Sequence, residues 1–162
     1  MKTEVEVMRY QEVKGDLFKV DLDKYKLAHC ISADVSGSKN MNKGIARLFR
    51  KKYPQMASQI FKNIKLGKAI RFQKNNHVIY NLIPKEKVGQ KAQGEYKKEY
   101  YKNLENALLD MKNQMLKKGE LFLAMPKIAS GLDRGDWDVI SKMIKEAFKE
   151  TDIEIQIRYL EE

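Results

Sequence analysis

One cysteine, Cys30, stands alone in 162 residues. That excludes an internal disulfide framework and fits a reducing compartment. Only His29 and His77 could join it, which is too few soft ligands for a zinc site, so neither a metal nor another cofactor is expected. No apolar run approaches the roughly 20 residues of a membrane helix. The N-terminal residues carry no secretory apolar region, which points to a cytoplasmic protein without membrane contact. Internal repeats, low-complexity segments and linker-like composition are all missing. A single domain over residues 1–162 is therefore expected, large enough to bury roughly 70% of its unfolded surface.

What is present describes a globular chain, with 43% hydrophobic and 33% charged residues. The net charge of +10 permits a phosphate-rich partner. Only six of the 32 basic residues are arginine, and the lysines run along the whole chain. The charge thus reads as a nucleic-acid contact or as a plain lysine-rich surface, and it suits a small anionic ligand equally. Nothing in the pattern calls for an oligomer, so a monomer is expected.

Apolar periodicity alternates between strand and helix. Val5, Val7, Tyr10 and Val13 suggest one or two strands, followed by a turn at Lys14-Gly15-Asp16-Leu17-Phe18 in which Asp16 suits an Asx-type cap. Leu27-Ala28-His29-Cys30-Ile31 is apolar enough for a central strand, with His29 as a core imidazole. A polar loop from Ser32 to Asn42 leads into a helix starting at Lys43-Gly44-Ile45. Pro54 breaks that helix and opens another running to about Lys65. Ala69–Phe72 and His77–Ile83 read as a hairpin around Asn75-Asn76, the second strand ending at Pro84. A long helix from Glu95 to Lys118 carries Tyr100, Leu104, Leu108, Met111 and Met115 on its core stripe and closes at Gly119. Alternation from Ile153 to Tyr159 reads as a half-buried or edge strand. The sum is an α/β fold, a sandwich with a mixed central sheet.

Pro126-Lys127-Ile128-Ala129-Ser130-Gly131-Leu132-Asp133-Arg134-Gly135-Asp136-Trp137 connects the apolar strand Leu121–Met125 to a helix capped by Asp136. Ligands of open α/β sheets bind at such strand–loop–helix junctions. Small residues at 129–131 let backbone N–H groups approach an anion. The loop from Ser32 to Gly44 ends at a helix start in the same manner, without the Walker or dinucleotide glycine pattern.

Four pieces in this order carry a family likeness: Gly15-Asp16-Leu17-Phe18, Leu27–Ser32, Gly44-Ile45-Ala46 before Leu48-Phe49, and Met125-Pro126-Lys127-Ile128 with Gly131-Leu132-Asp133-Arg134 and Trp137. From about Val13 to Leu160 the chain resembles the macrodomain family, most of all its terminal ADP-ribose protein glycohydrolase (O-acetyl-ADP-ribose deacetylase) type. The resemblance implies a three-layer α/β/α fold with a cleft for ADP-ribose. It implies that Asp16 accepts from the adenine amino group and that Leu17 lines the base pocket. Gly44 and Ile45 would wrap one phosphate and Ala129, Ser130, Gly131 and Leu132 the other, with Ser32 near the ribose and Arg134 among the binding residues. Lys85 would be the nucleophile and Asp133 the general acid/base. Two departures stand out: Asn42-Lys43 replace smaller residues, and Ser36-Gly37-Ser38-Lys39 look inserted. Lys87 rivals Lys85, but a residue nearer a rigid strand is better held for attack.

The chemistry this implies breaks an ester between a protein carboxylate and C1″ of the distal ribose. A lysine attacks only as a neutral amine, a form that desolvation and nearby cations such as Lys87, Lys127 and Arg134 favour. Competing readings are a non-catalytic domain that binds ADP-ribose or RNA, and a phosphatase acting on ADP-ribose 1″-phosphate. The fold serves all of them.

Overall fold

The computed structural model describes residues 9–34, 41, 44–87 and 89–160. The expected strand at Val5 and Val7, the Ser36–Lys39 insertion and Asn42-Lys43 lie outside the described residues.

Six strands form one sheet in the order β1-β6-β5-β2-β4-β3. They are β1 (Tyr10–Lys14), β2 (Lys26–Ser32), β3 (Ala69–Lys74), β4 (His77–Lys85), β5 (Phe122–Met125) and β6 (Glu154–Tyr159). All neighbours pair parallel except β3 and β4, whose hairpin turns at Asn75 with a φ of 55°. Asparagine is among the few residues that accept that conformation readily. The sheet is thus mixed, as the tight hairpin spacing requires.

Helices cover both faces. α1 (Gly44–Lys52) and α2 (Met56–Ile60) seat Phe49, Met56, Ala57 and Ile60 against Leu27, Ile31, Ile79 and Ile83. α3 (Lys97–Lys118) and α4 (Trp137–Phe148) seat Leu104, Leu108, Met111, Ile140 and Ile144 against Tyr80, Leu82, Leu123 and Ile155 on the other face. Because β2 and β4 are covered twice, consecutive residues along them are buried and the polar alternation of a one-sided strand disappears. The α3 stripe falls as its spacing predicts, and Gly119 ends the helix in the left-handed region at φ 69°.

Two element ends differ from the sequence expectation, and of the two readings of β6, half-buried or edge, the first holds. The helix after Pro54 stops at Ile60 and continues only as a 3-10 turn, Phe61–Asn63. β4 runs through Pro84 to Lys85. This is tolerated because β3 pairs only as far as Leu82, so no ladder bond is lost on that side. β6 is not an edge strand: β1 covers its outer side. Its alternation reflects burial on one face only.

The parallel arrangement fixes the site. Asp16 follows β1, Ser32 ends β2, Lys85 ends β4, and residues 126–135 follow β5. All lie at the carboxyl edge of parallel strands, where a crevice forms.

Candidate functional site

Lys85 is held by the sheet itself. Ser32 is its partner in β2 across an irregularity between Cys30 and Ser32, and Ala33 N–H donates to Lys85 O at 2.9 Å. The lysine side chain reaches sideways to the loop after β5, where Nζ donates to Asp133 Oδ1 at 2.6 Å. Both side chains are largely shielded, 12% and 14% exposed. Residues 48 apart in sequence therefore meet in a pocket of reduced solvent.

The loop that presents Asp133 is tightly folded. Gly135 N–H donates to Ala129 O at 2.7 Å, Arg134 N–H to Gly131 O at 3.0 Å, and Ala92 N–H to Asp133 O at 2.9 Å. Ala129 and Arg134 adopt φ values of 63° and 59°, a conformation that non-glycine residues take only under constraint. A Cβ at Gly135 would lie 2.6 Å from Ala129 O and 2.7 Å from Ile140 Cδ1, so nothing larger than glycine fits. The amides of Gly131, Leu132 and Asp133 donate to no acceptor among the described residues. Three consecutive free N–H groups at an exposed turn suit an anion.

The start of α1 comes close to this loop. Gly44, at φ 60°, opens α1, and a Cβ there would stand 3.2 Å from Leu132 Cδ1. Leu132 is itself 59% exposed. Gly44 and Leu132 thus stand side by side. Ser32 is buried, its hydroxyl donating to Asp34 Oδ1 at 2.6 Å.

Tyr100, expected only on the core stripe, joins the Lys85–Asp133 pair. Its hydroxyl donates to Asp133 Oδ2. Each oxygen of the carboxylate is thereby held by one donor, Lys85 on one side and Tyr100 on the other. Burial first, with the Asp133 carboxylate adding to it, pushes the Tyr100 phenol far above its ordinary value, so it stays a donor. Burial likewise pushes the Cys30 thiol up, with Asp133 adding to the effect and Lys85 opposing it. A thiol so held is no thiolate nucleophile. A cavity of about 70 Å³ lies beside Lys85 and Tyr100, walled by Gln90, Tyr96, Glu99 and Asn103.

The remaining candidates are distributed around this centre. Asp16 is exposed, and its Oδ1 accepts from Phe18 N–H at 3.0 Å, the turn cap anticipated for it. Leu17 is buried in the α1-side core. Arg134 is exposed. Lys127 Nζ sits 4.3 Å from the Tyr159 ring centre, a cation–π contact. His29 is fully buried, with Nε2 bonded to Asn81 Oδ1 at 2.7 Å and its ring stacked on Phe49. Its Nδ1 has no partner among the described residues. Burial pulls its pKa down to about 4, so it is neutral at pH 7.

Comparison with known proteins bears on the family and the fold. No family model matches the chain. ADP-ribose glycohydrolase OARD1 from Homo sapiens is 39% identical over 152 residues, 92% of this chain and 90% of the relative. Its counterpart from Bos taurus is 37% identical over 149 residues with the same coverage. Among solved structures, the macrodomain of Mycobacterium tuberculosis DarG superposes with a TM-score of 0.75 at 19% identity, covering 96% of this chain and 100% of that one. Thermosipho africanus DarTG in complex with ADP-ribose gives 0.72 at 19% identity over 94% of this chain and 42% of that one. The sheet order, the two helical layers and an identity of 39% across nearly the whole of both chains place this protein in the macrodomain family, alongside the ADP-ribose glycohydrolase OARD1.

Proposed function

We propose that this macrodomain hydrolyses the ester joining C1″ of the distal ribose of ADP-ribose to a glutamate or aspartate side chain of a modified protein. In this reading it acts in the cytoplasm as a monomer and also deacetylates O-acetyl-ADP-ribose. The observation that carries the reading is the shielded 2.6 Å contact between Lys85 Nζ and Asp133 Oδ1 at the carboxyl ends of β4 and β5. The names of the relatives as ADP-ribose glycohydrolases support the substrate class.

The ligand's length suits the edge it would lie along. From β1 to β4 there are four strand spacings, about 19 Å. Adenine sits at the Asp16 end and the distal ribose at the Lys85 end. The diphosphate lies between them, on the free amides of residues 131–133 and the start of α1. Fixing both phosphates holds C1″ against Lys85, so binding energy is converted into orientation.

The reaction then follows from the pair. Asp133 Oδ1 takes a proton from Lys85 Nζ along their existing hydrogen bond, leaving a neutral amine. The amine attacks C1″; the C1″–N bond forms and the C1″–O bond to the leaving carboxylate breaks. Asp133 returns the proton to the departing carboxylate or to the ribose oxygen, then deprotonates a water that cleaves the C1″–N bond. Ester and water give ADP-ribose and the free carboxylic acid, with Lys85 regenerated. Tyr100 keeps Oδ2 occupied so that Oδ1 does the proton work.

Lys85→Ala should abolish ADP-ribose release from a modified glutamate, a loss of at least a thousandfold, with ADP-ribose binding by calorimetry nearly intact. Asp133→Ala should also stop turnover, since the Lys85 amine and the attacking water both lose the base that takes their protons. Normal turnover by Lys85→Ala would leave only the binding function, or a 1″-phosphatase working through other groups.

A further inference from the structure

The cavity beside Lys85 has no part in the mechanism above. It lies between the end of β4 and the start of α3, and two of its walls are Lys85 and Tyr100, the residues that hold Asp133. Its volume of about 70 Å³ suits about five waters or the end of one long side chain. None of its walls comes from β2 or from the loop after β5, so it stands on the side of Lys85 away from both. The space exists because β3 pairs with β4 only as far as Leu82, leaving no strand beside Lys85 there.

The chain carries a net charge of +10, yet the charged walls of this cavity other than Lys85 are the carboxylates of Glu86 and Glu99. Neither carboxylate has a hydrogen-bond or ionic partner among the described residues. Lys85 does not neutralise them, because its ammonium is bound to Asp133. Asn103 adds a half-buried amide, and the Tyr96 ring, 43% exposed, stands at the same cavity. Gln90 Oε1 accepts from Glu86 N–H at 3.0 Å and from Lys87 N–H at 2.9 Å, so the turn that carries Glu86 keeps its shape without help from the Glu86 side chain. Past Tyr96 the sign of charge reverses, with Lys87 and Lys91 bordering the wider groove beyond. Two acids and a ring elsewhere would be ordinary solvated surface; here they wall a cavity that reaches the reacting amine.

We propose that this cavity is the subsite for the protein half of the ester, where it takes the side chain of a lysine or arginine neighbouring the modified glutamate or aspartate. The proposal rests on the hydrolase reading above, which lays adenine at β1 and the distal ribose at Lys85. The group on C1″ then points along the same line into the next space, and that space is the cavity. A cation there meets two carboxylates and sets its stem or guanidinium plane against Tyr96. An acidic neighbour meets like charge with no unengaged cation in the walls. An apolar neighbour gains nothing from either carboxylate. Since Lys85 is itself a wall, a side chain seated in the cavity also fixes the ester against the attacking amine.

The test uses peptides ADP-ribosylated on a single glutamate, with lysine, alanine or glutamate placed in turn at each nearby position on either side. At one or more positions the wild type should release ADP-ribose from the lysine peptide with a kcat/KM about tenfold above the alanine peptide, and the glutamate peptide should fall below both. A Glu86→Gln/Glu99→Gln variant should erase that preference. It should keep the wild-type melting temperature and ADP-ribose affinity, since both positions are exposed, and also its turnover of O-acetyl-ADP-ribose, which has no peptide to seat. The proposal is overturned if the wild type shows no preference at any position, if it prefers glutamate, or if the double variant still prefers lysine. Cleavage of none of the peptides would sink the hydrolase reading by itself. Calorimetry with amide-linked ADP-ribosyl peptides, whose amide leaves C1″ far less readily than a carboxylate, then decides the subsite separately. A lysine peptide bound about tenfold more tightly than its alanine counterpart by the wild type alone supports it, and equal affinities overturn it.

Discussion

Under the proposed mechanism, single side chains decide the chemistry. Tyr100 stands on α3, outside the loop after β5, and its hydroxyl holds one oxygen of Asp133. Tyr100→Phe keeps the ring in its packed place and removes that donor alone. The expected result is a roughly tenfold fall in kcat for ADP-ribose release, the value of one hydrogen bond to a charged group, about 1.5 kcal/mol. KM, ADP-ribose affinity and Tm should scarcely move. An equal loss of affinity would mean that the phenol serves binding instead of holding the carboxylate. Nothing in the periodicity marked Tyr100, because a residue on a buried stripe satisfies the helix pattern whether or not its hydroxyl has further work. A weak signal was available: a polar-tipped ring among leucines and methionines needs a partner when buried.

At the level of elements, the loop between β5 and α4 is built to be stiff. Gly135→Ala puts a methyl into Ala129 O and Ile140 Cδ1. It should lower stability by about 1–3 kcal/mol and weaken ADP-ribose binding, because the free amides of residues 131–133 shift with it. Asp136→Ala is the control. Its Oδ1 caps Asp138 N–H at 3.0 Å, so its loss should lower stability by about 1 kcal/mol and leave affinity unchanged. Differential scanning fluorimetry and calorimetry on the two variants separate the loop's geometry from the helix's stability. The short α2 and the continuation of β4 through Pro84 show why element ends were harder to read than their interiors. An end depends on which neighbour stops pairing, and that neighbour is distant in sequence.

For the whole molecule, the central strands carry a buried imidazole that acid will test. His29 in the folded chain titrates near 4, against about 6.5 when unfolded. Between those values the unfolded chain binds a proton that the folded chain refuses. Stability is therefore undiminished above about pH 6.5, falls as pH drops toward 4 and levels off below it, by about 3 kcal/mol from this group. Urea unfolding at pH 7 and pH 4.5 should show that loss in the wild type. His29→Gln should show a smaller one, the difference between the two proteins isolating the imidazole from the carboxylates. Equal pH dependence in both would show that the ring is accessible to protons in the folded state.

By itself the sequence determined the alternation of strand and helix, the buried character of β2 and β4, the Asp16 and Asp136 caps and the glycine-bearing loop after β5. Each of these is written in local periodicity or in the conformational needs of one residue. Only the tertiary structure decided that β1 covers β6, that Lys85 and Asp133 meet, and that Tyr100 holds the second oxygen. The reason is the same in every case: parallel pairing brings to one edge residues that lie tens of positions apart, and a local pattern carries no record of which strand will stand beside which.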